Sequence, residues 1–168
     1  DMNHMFWSCM GLTNLDVSNW DTSNVTDMYH MFWSCRGLTN LDVSNWDTSN
    51  VTDMSQMFSD CRSLTNLDVS NWNTSNVDQM AWMFNSCYNL EKIYASDSFS
   101  TASVGDGGHH MLGYDTNLVW WNGTTYDANH DGVEYARIDR VGTSGYFTKK
   151  YRDLDVYFIN YICYWSCT

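Results

Sequence analysis

Residues 31–54 read MFWSCRGLTNLDVSNWDTSNVTDM, and nearly the same text occupies residues 5–28 and returns from Met57 and again from Met83. Met5-Phe6, Met31-Phe32, Met57-Phe58 and Met83-Phe84 are spaced 26 residues apart, and Cys9, Cys35, Cys61 and Cys87 follow at the same interval. The block 5–30 differs from the block 31–56 only at Met10/Arg36, Tyr29/Ser55 and His30/Gln56. A fixed period of about 20–50 residues marks a fold in which each repeat stacks on its neighbours. Equivalent residues should then form ladders along the stack.

Within the unit the apolar positions are Met31, Phe32, Cys35, Leu38, Leu41, Val43, Trp46, Val51 and Met54. Leu38 to Val43 reads L-x-x-L-x-V, the strand-bearing part of a leucine-rich repeat. Leu41 and Val43 are two apart and should point inward, with Asp42 and Ser44 on the solvent side. Val51, Met54, Met57 and Cys61 recur every three or four residues, which suits a short helical or 3₁₀ turn across the coil. Asp47 to Asn50 is turn chemistry. One coil cannot bury its apolar face alone, so stacking with parallel strand pairing must supply the core. The expected inner ladders are Leu15/Leu41/Leu67, Val17/Val43/Val69 and Phe6/Phe32/Phe58/Phe84, with Asp16/Asp42/Asp68 outside.

The period decays toward the C-terminus. Leu90 and Ile93 keep the pattern, Ala95 replaces Val, and Ser98 stands where Trp is expected. Two residues are added before Met111-Leu112, and Asp115 takes the Cys position. Beyond Trp120 the chain is turn-rich, with short strands expected over Val133 to Ile138 and Gly145 to Thr148, as in a terminal cap. The expected fold is therefore a mainly β, α+β repeat: a leucine-rich-repeat-like parallel β-solenoid with short helical or 3₁₀ turns and an irregular C-terminal cap. The repeat is expected over residues 1–112 and the cap over 113–150, with an unexplained apolar tail at 151–168. Asp1-Met2-Asn3-His4 aligns with Asp27-Met28-Tyr29-His30, so the sequence opens inside a repeat and an upstream continuation is expected.

The formal net charge of −12 argues against nucleic acid or an anionic membrane as partner, since both call for clustered cations. Aromatic residues make up 16% of the chain, which a disordered polypeptide would not carry. No apolar run is long enough to span a membrane. Stacked cysteines should lie about 5 Å apart, within disulfide reach. They read either as a staple or, as favoured here, as a ladder of small buried thiols.

Two sets of residues are candidates for a binding face. Asp16, Ser18, Asp42, Ser44, Asp68 and Ser70 form a repeated acidic surface. Calcium bridging of its carboxylates is the alternative to a solvated face; otherwise no cofactor and no metal site are expected. Trp7, Trp33 and Trp82 are the surface aromatic candidates, because equivalent positions carry Ser59, Asn85 and Gln56. The Trp20/Trp46/Trp72 ladder reads either as a stacked platform for sugar rings or a partner's aromatic and aliphatic groups or, as favoured here, as a seal between strand and turn with each indole N–H bonded to a backbone carbonyl. Asp127-x-Asn129-x-Asp131-Gly132 mimics the start of an EF-hand loop but has Ile138 where the closing Glu belongs, so a Gly-bearing turn explains it better. Thr22/Thr48/Thr74 offers a remote ice-binding reading. No catalytic constellation is evident, so no enzyme is expected.

The unit L-T-N-L-D-V-S-N-W-D-T-S-N-V-T-D-M-x-x-M-F-x-x-C resembles the BspA-like leucine-rich repeat surface proteins of gut and oral bacteria and mollicutes. The segments Lys92 to Ser96, Asn122 to Tyr126, Tyr135 to Asp139 and Gly145 to Thr148 are similar to that family's closing region. The resemblance implies secreted or lipid-anchored bacterial surface proteins that adhere to host or bacterial surfaces, with no catalytic activity and no transferable binding residues. Trp7 and Trp33 depart from it, standing where small polar residues are more usual. The expected function is a cell-surface interaction module whose partner is a host or bacterial surface protein or glycan. The alternative is a structural spacer or self-assembling element, associating through the Asp1 end or residues 151–168.

Overall fold

The computed structural model describes residues 1–118, 127, 129–137 and 145–149. The fold is mostly non-helical around a small, open, parallel three-stranded sheet. β1 (Asn66–Asp68) pairs with β2 (Lys92–Ala95) in the register Leu67↔Ile93, one 26-residue step. β3 (Phe147–Lys149) pairs with the other edge of β2, Phe147 opposite Ile93. At the equivalent place in the earlier repeats the pairing shrinks to the single bridge Asn14↔Asn40, and a second line of bridges runs through Asp27, Asp53 and Gln79. The expected alternation is present: Leu41 and Val43 are buried, Asp42 is exposed and Ser44 half-buried.

Across the coil from the strands, backbone N–H groups alternate between two kinds of acceptor. Met28, His30, Phe32 and Ser34 donate to Asp53, Ser55, Met57 and Ser59, each 25 residues on, at 2.8–3.1 Å. Met31, Trp33 and Cys35 donate instead to the carbonyl three residues back, at 3.0–3.2 Å. A helix would send every N–H along its own chain, so this pattern is a run of turns rather than the helical segment one reading of the sequence allowed. Left-handed residues set the alternation. His4, His30, Gln56 and Trp82 have φ of 52–58°, and Ser8, Ser34, Asp60 and Ser86 have φ of 60–64°. The series continues at His110 and Tyr114, 28 residues on rather than 26, which locates the two-residue insertion inferred from the sequence.

Stacking puts each ring on its own copy. The Phe6, Phe32, Phe58 and Phe84 rings lie 5.3–5.7 Å apart and within 5° of parallel. Trp20, Trp46 and Trp72 follow at 6.3–6.4 Å. The Trp46 indole N–H donates to the Val17 carbonyl (3.1 Å) and that of Trp72 to Val43 (3.0 Å), as the sealing role requires. Cys9, Cys35, Cys61 and Cys87 are free thiols. The last three are buried and donate to the carbonyls of Phe6, Phe32 and Phe58 at 3.1–3.2 Å. Burial pushes the Cys35 thiol up to about 12 and those of Cys61 and Cys87 well above their ordinary value. Phe147 ends the phenylalanine ladder by meeting Phe84 edge-on (6.3 Å, 90°) and Phe99 likewise (5.0 Å, 86°).

Two further sequence expectations need correction. Val133–Tyr135 is a 3₁₀ turn, closed by Tyr135 N–H to Gly132 O and Ala136 N–H to Val133 O, not the start of a strand. Thr22, Thr48 and Thr74 are buried and donate to the carbonyls of Asp47, Asn73 and Ser100, so no exposed threonine ladder is available to ice. Trp120-Trp121, the Asn122-Gly123 turn and the 151–168 tail with Cys163 and Cys167 lie outside the described residues.

Phe58 is buried with a parallel ring on each side and Trp72 at 6.4 Å. Phe58→Ala is expected to cost about 3–5 kcal/mol in urea unfolding. Phe6→Ala, at a half-buried end of the ladder, should cost clearly less. Brief iodoacetamide treatment followed by peptide mapping should label Cys9 in the native protein, with Cys35, Cys61 and Cys87 labelled only after unfolding. Equal labelling at all four would contradict the buried thiol ladder.

Candidate functional site

The acidic and aromatic candidates occupy separate places. Asp16, Asp42 and Asp68, with Asn14, Asn40 and Asn66, line an open trough of about 760 Å³ over the strand side. Their carboxylates are engaged locally. Asp16 accepts from the Ser18 N–H (3.1 Å) and hydroxyl (2.7 Å), and Asp42 accepts the same pair from Ser44. Asp68 accepts the Ser70 N–H at 3.0 Å. Asp21–Ser23 and Asp47–Ser49 repeat the motif at the next turn. These are Asx-turns, in which a short side chain satisfies a backbone donor two residues on. The serine hydroxyls, then the serine N–H groups, hold the Asp16, Asp21 and Asp47 carboxyls below their ordinary value. Among the described residues no three His, Cys, Asp or Glu side chains converge as a metal-binding group. In the EF-hand-like stretch, Asp127 accepts from Asn129 and pairs with His130 at 2.7 Å, a local turn.

Trp7, Trp33 and Trp82 stand on the turn ridge instead. Trp7 is 51% exposed and stacks on Trp33 at 5.6 Å and 15°. His4 and His30 flank this pair, His4 against Trp7 at 6.4 Å and His30 against Trp33 at 5.9 Å. Trp82 is half-buried against His109 (4.3 Å, edge-on) and His110 (6.3 Å, stacked). Trp33 and Trp82 face a second notch, of about 370 Å³, which shares no lining residue with the acidic trough. The two candidate sets thus line separate recesses.

The notch contains residues the sequence reading passed over. Asp60 stands where Ser8, Ser34 and Ser86 stand in other repeats. One of its oxygens accepts from the Ser34 hydroxyl (2.9 Å) and Arg36 Nε (2.8 Å), the other from Arg62 Nε (2.5 Å). Arg62 also lies over the Tyr88 ring at 5.6 Å. Burial pushes the Asp60 carboxyl up, but the bonds from Arg62, Arg36 and Ser34 outweigh it and leave the group below its ordinary value. Asp115, at a cysteine position, is the opposite case. It is buried, accepts the Cys87 N–H at 2.7 Å with one oxygen, and has no hydrogen-bond partner at the other. Burial holds its carboxyl well above the ordinary range. Both aspartates were discoverable from the sequence as charges at positions that the repeat fills with Ser or Cys.

Asp60→Asn should cost about 1 kcal/mol at neutral pH, since both guanidinium groups stay partly in water. Because the folded value of Asp60 is depressed, its contribution is complete above the unfolded value of about 3.9 and is lost as pH falls through the folded value. The stability gap between wild type and variant, from urea unfolding at pH 7, 5 and 3, should therefore narrow toward acid. The other carboxylates are common to both proteins and cancel in that difference.

No helix among the described residues is long and apolar enough to cross a membrane. No curated protein and no solved structure matches the chain. Residues 1–117 match the DUF285 family, described as a Mycoplasma protein of unknown function. That match covers well over half of the 168 residues, and the chain belongs to the DUF285 family.

Proposed function

We propose that this chain is a non-enzymatic interaction module of a bacterial cell surface, built on a leucine-rich-repeat-like parallel β-solenoid of the BspA-like kind. It works outside the cell and binds a host or bacterial surface partner. The fold reading is supported by the 26-residue strand register and the repeated bonds from one coil to the next. The cap reading is supported by β3 on β2 and by the Leu112 N–H to Asp131 carbonyl bond at 2.8 Å.

The observation that carries the functional reading is the contrast between two kinds of tryptophan. Trp46 and Trp72 are buried with their N–H groups satisfied, whereas Trp33 and Trp82, with repeats on both sides, stay half-buried and line the notch. Exposed clusters of large aromatic side chains mark partner-binding surfaces and supply most of the energy where partners dock. The acidic trough is the weaker candidate, because its aspartates already serve their own turns. A second reading, association between copies of the chain, is supported by the way each repeat already takes backbone bonds and a parallel ring from the next.

The test uses substitutions that install what other repeats carry at the same place: Trp7→Ser, Trp33→Ser and Trp82→Gln. The triple variant should keep its circular dichroism and melting behaviour and lose cell adhesion at least tenfold. Adhesion equal to wild type would end the interaction reading. Light scattering across a dilution series addresses the second: a monomer at every concentration excludes self-assembly.

A further inference from the structure

The notch between Trp33 and Trp82 arises where two ladders change residue. The series Trp7, Trp33, Ser59, Asn85 drops from indole to hydroxymethyl after Trp33 and opens space there. The series His4, His30, Gln56, Trp82, His110 reaches an indole at Trp82, which closes the far side. Each indole is backed on its outer side, Trp33 by Trp7 and Trp82 by His110, so the ring positions are fixed and their inner sides are left to the notch.

The chemistry of the floor selects among occupants. Gln56 offers an amide and Ser59 a hydroxyl, while the Ser86 hydroxyl donates to Asn85 Oδ1 at 2.9 Å and leaves the Asn85 amide nitrogen to donate. Asp60 receives three hydrogen bonds, so it acts mainly by holding Arg62 through Nε and leaving the terminal guanidinium nitrogens to donate. A free cation is opposed by Arg36 and Arg62, whose charge Asp60 only partly neutralises, and the approach of a strongly anionic partner is opposed at long range by the chain's net charge of −12. An apolar plug would strand the floor's polar groups away from water, at a cost of about 1–3 kcal/mol each. A neutral ring with C–H faces and a rim of hydroxyls meets both requirements, its faces against indole and its hydroxyls on the floor.

We propose that the Trp33–Trp82 notch is a binding subsite for a neutral pyranose unit of a surface glycan. The proposal rests on the surface-interaction reading above and narrows it to one ligand class. Asp60 is a positioning residue in this site; Trp33, Trp82, Arg62, Gln56 and Asn85 contact the sugar.

Saturation-transfer difference NMR on the full chain tests it, with the methyl glycosides of glucose, galactose, mannose and N-acetylglucosamine as probes and sialyllactose as the acidic counter-probe. At least one neutral glycoside should receive saturation at its ring C–H protons, and Trp33→Ser and Trp82→Gln should each reduce that transfer at least fivefold. Asp60→Ser, which restores the residue of other repeats, should weaken the same glycoside while the protein remains folded. No transfer to any neutral glycoside, preference for sialyllactose, or transfer unchanged in Trp82→Gln would overturn the assignment. Adhesion that depends on Trp33 and Trp82 but survives enzymatic deglycosylation of the target cells would overturn the sugar assignment alone and leave the surface-interaction reading standing.

Discussion

The backbone hydrogen bond from each phenylalanine to the methionine one repeat on, such as Phe32 N–H to Met57 O at 2.9 Å, fixes everything else. It recurs at Phe6 to Met31 and Phe58 to Met83, and Phe84 keeps it to Met111 across the two-residue insertion. Because donor and acceptor belong to successive copies, the bond locks the repeat register. Any slip would replace ring-on-ring contact by mismatched side chains. The left-handed residues are what turn these N–H groups outward along the stack. A non-glycine residue in that conformation costs about 1–2 kcal/mol. Each coil carries two, and the bonds and burial gained between coils offset that strain.

A locked register forces like onto like, which suits some side chains and not others. Phenylalanine, leucine and thiol ladders gain from it, since identical apolar shapes pack without polar mismatch. Carboxylates do not, because like charges at strand spacing repel. The Asp-x-Ser turns answer this by giving each aspartate donors from its own turn, a serine N–H and in most cases the hydroxyl as well. Histidine is a third case. His30 Nδ1 lies 3.1 Å from His4 Nε2, so one ring must donate and the other accept, and burial pushes His30 toward the neutral form that permits it.

Much of this was legible from the sequence because translation along the stack converts residue number into position. The Phe, Val and Cys ladders, the in-out alternation from Leu41 to Ser44, the sealing role of Trp46 and Trp72 and the insertion before Met111 follow from period and alternation alone. What could not be read depended on contacts the period does not encode. Val133 to Ile138 has the composition of a strand, yet Val133–Tyr135 closes local 3₁₀ bonds. Thr22, Thr48 and Thr74 look like surface residues by type, but each hydroxyl finds a carbonyl in the next coil, which makes burial cheap. Asp60 acquires meaning only beside Ser34 and Arg36 of the previous repeat.

A strictly periodic surface presents the same unit at each step and cannot bound a unique site; a site with two ends requires the period to break. The stretch Leu-Asp-Val-Ser-Asn-Trp is identical at 15–20, 41–46 and 67–72, so the strand side of these coils is periodic and its aspartates do the same local work three times. The turn ridge is where the copies diverge. Met10 becomes Arg36 and Arg62 and then Tyr88, Ser34 becomes Asp60, Trp33 becomes Ser59, and His30 becomes Gln56 and then Trp82. These substitutions converge on one place: Asp60 with its two arginines, between the two indoles. None of them is needed for stacking, since other coils stack without them. Divergence that the fold does not require, gathered at one notch with aromatic walls and a polar floor, is the ground on which the proposed recognition is placed on the ridge rather than on the acidic trough.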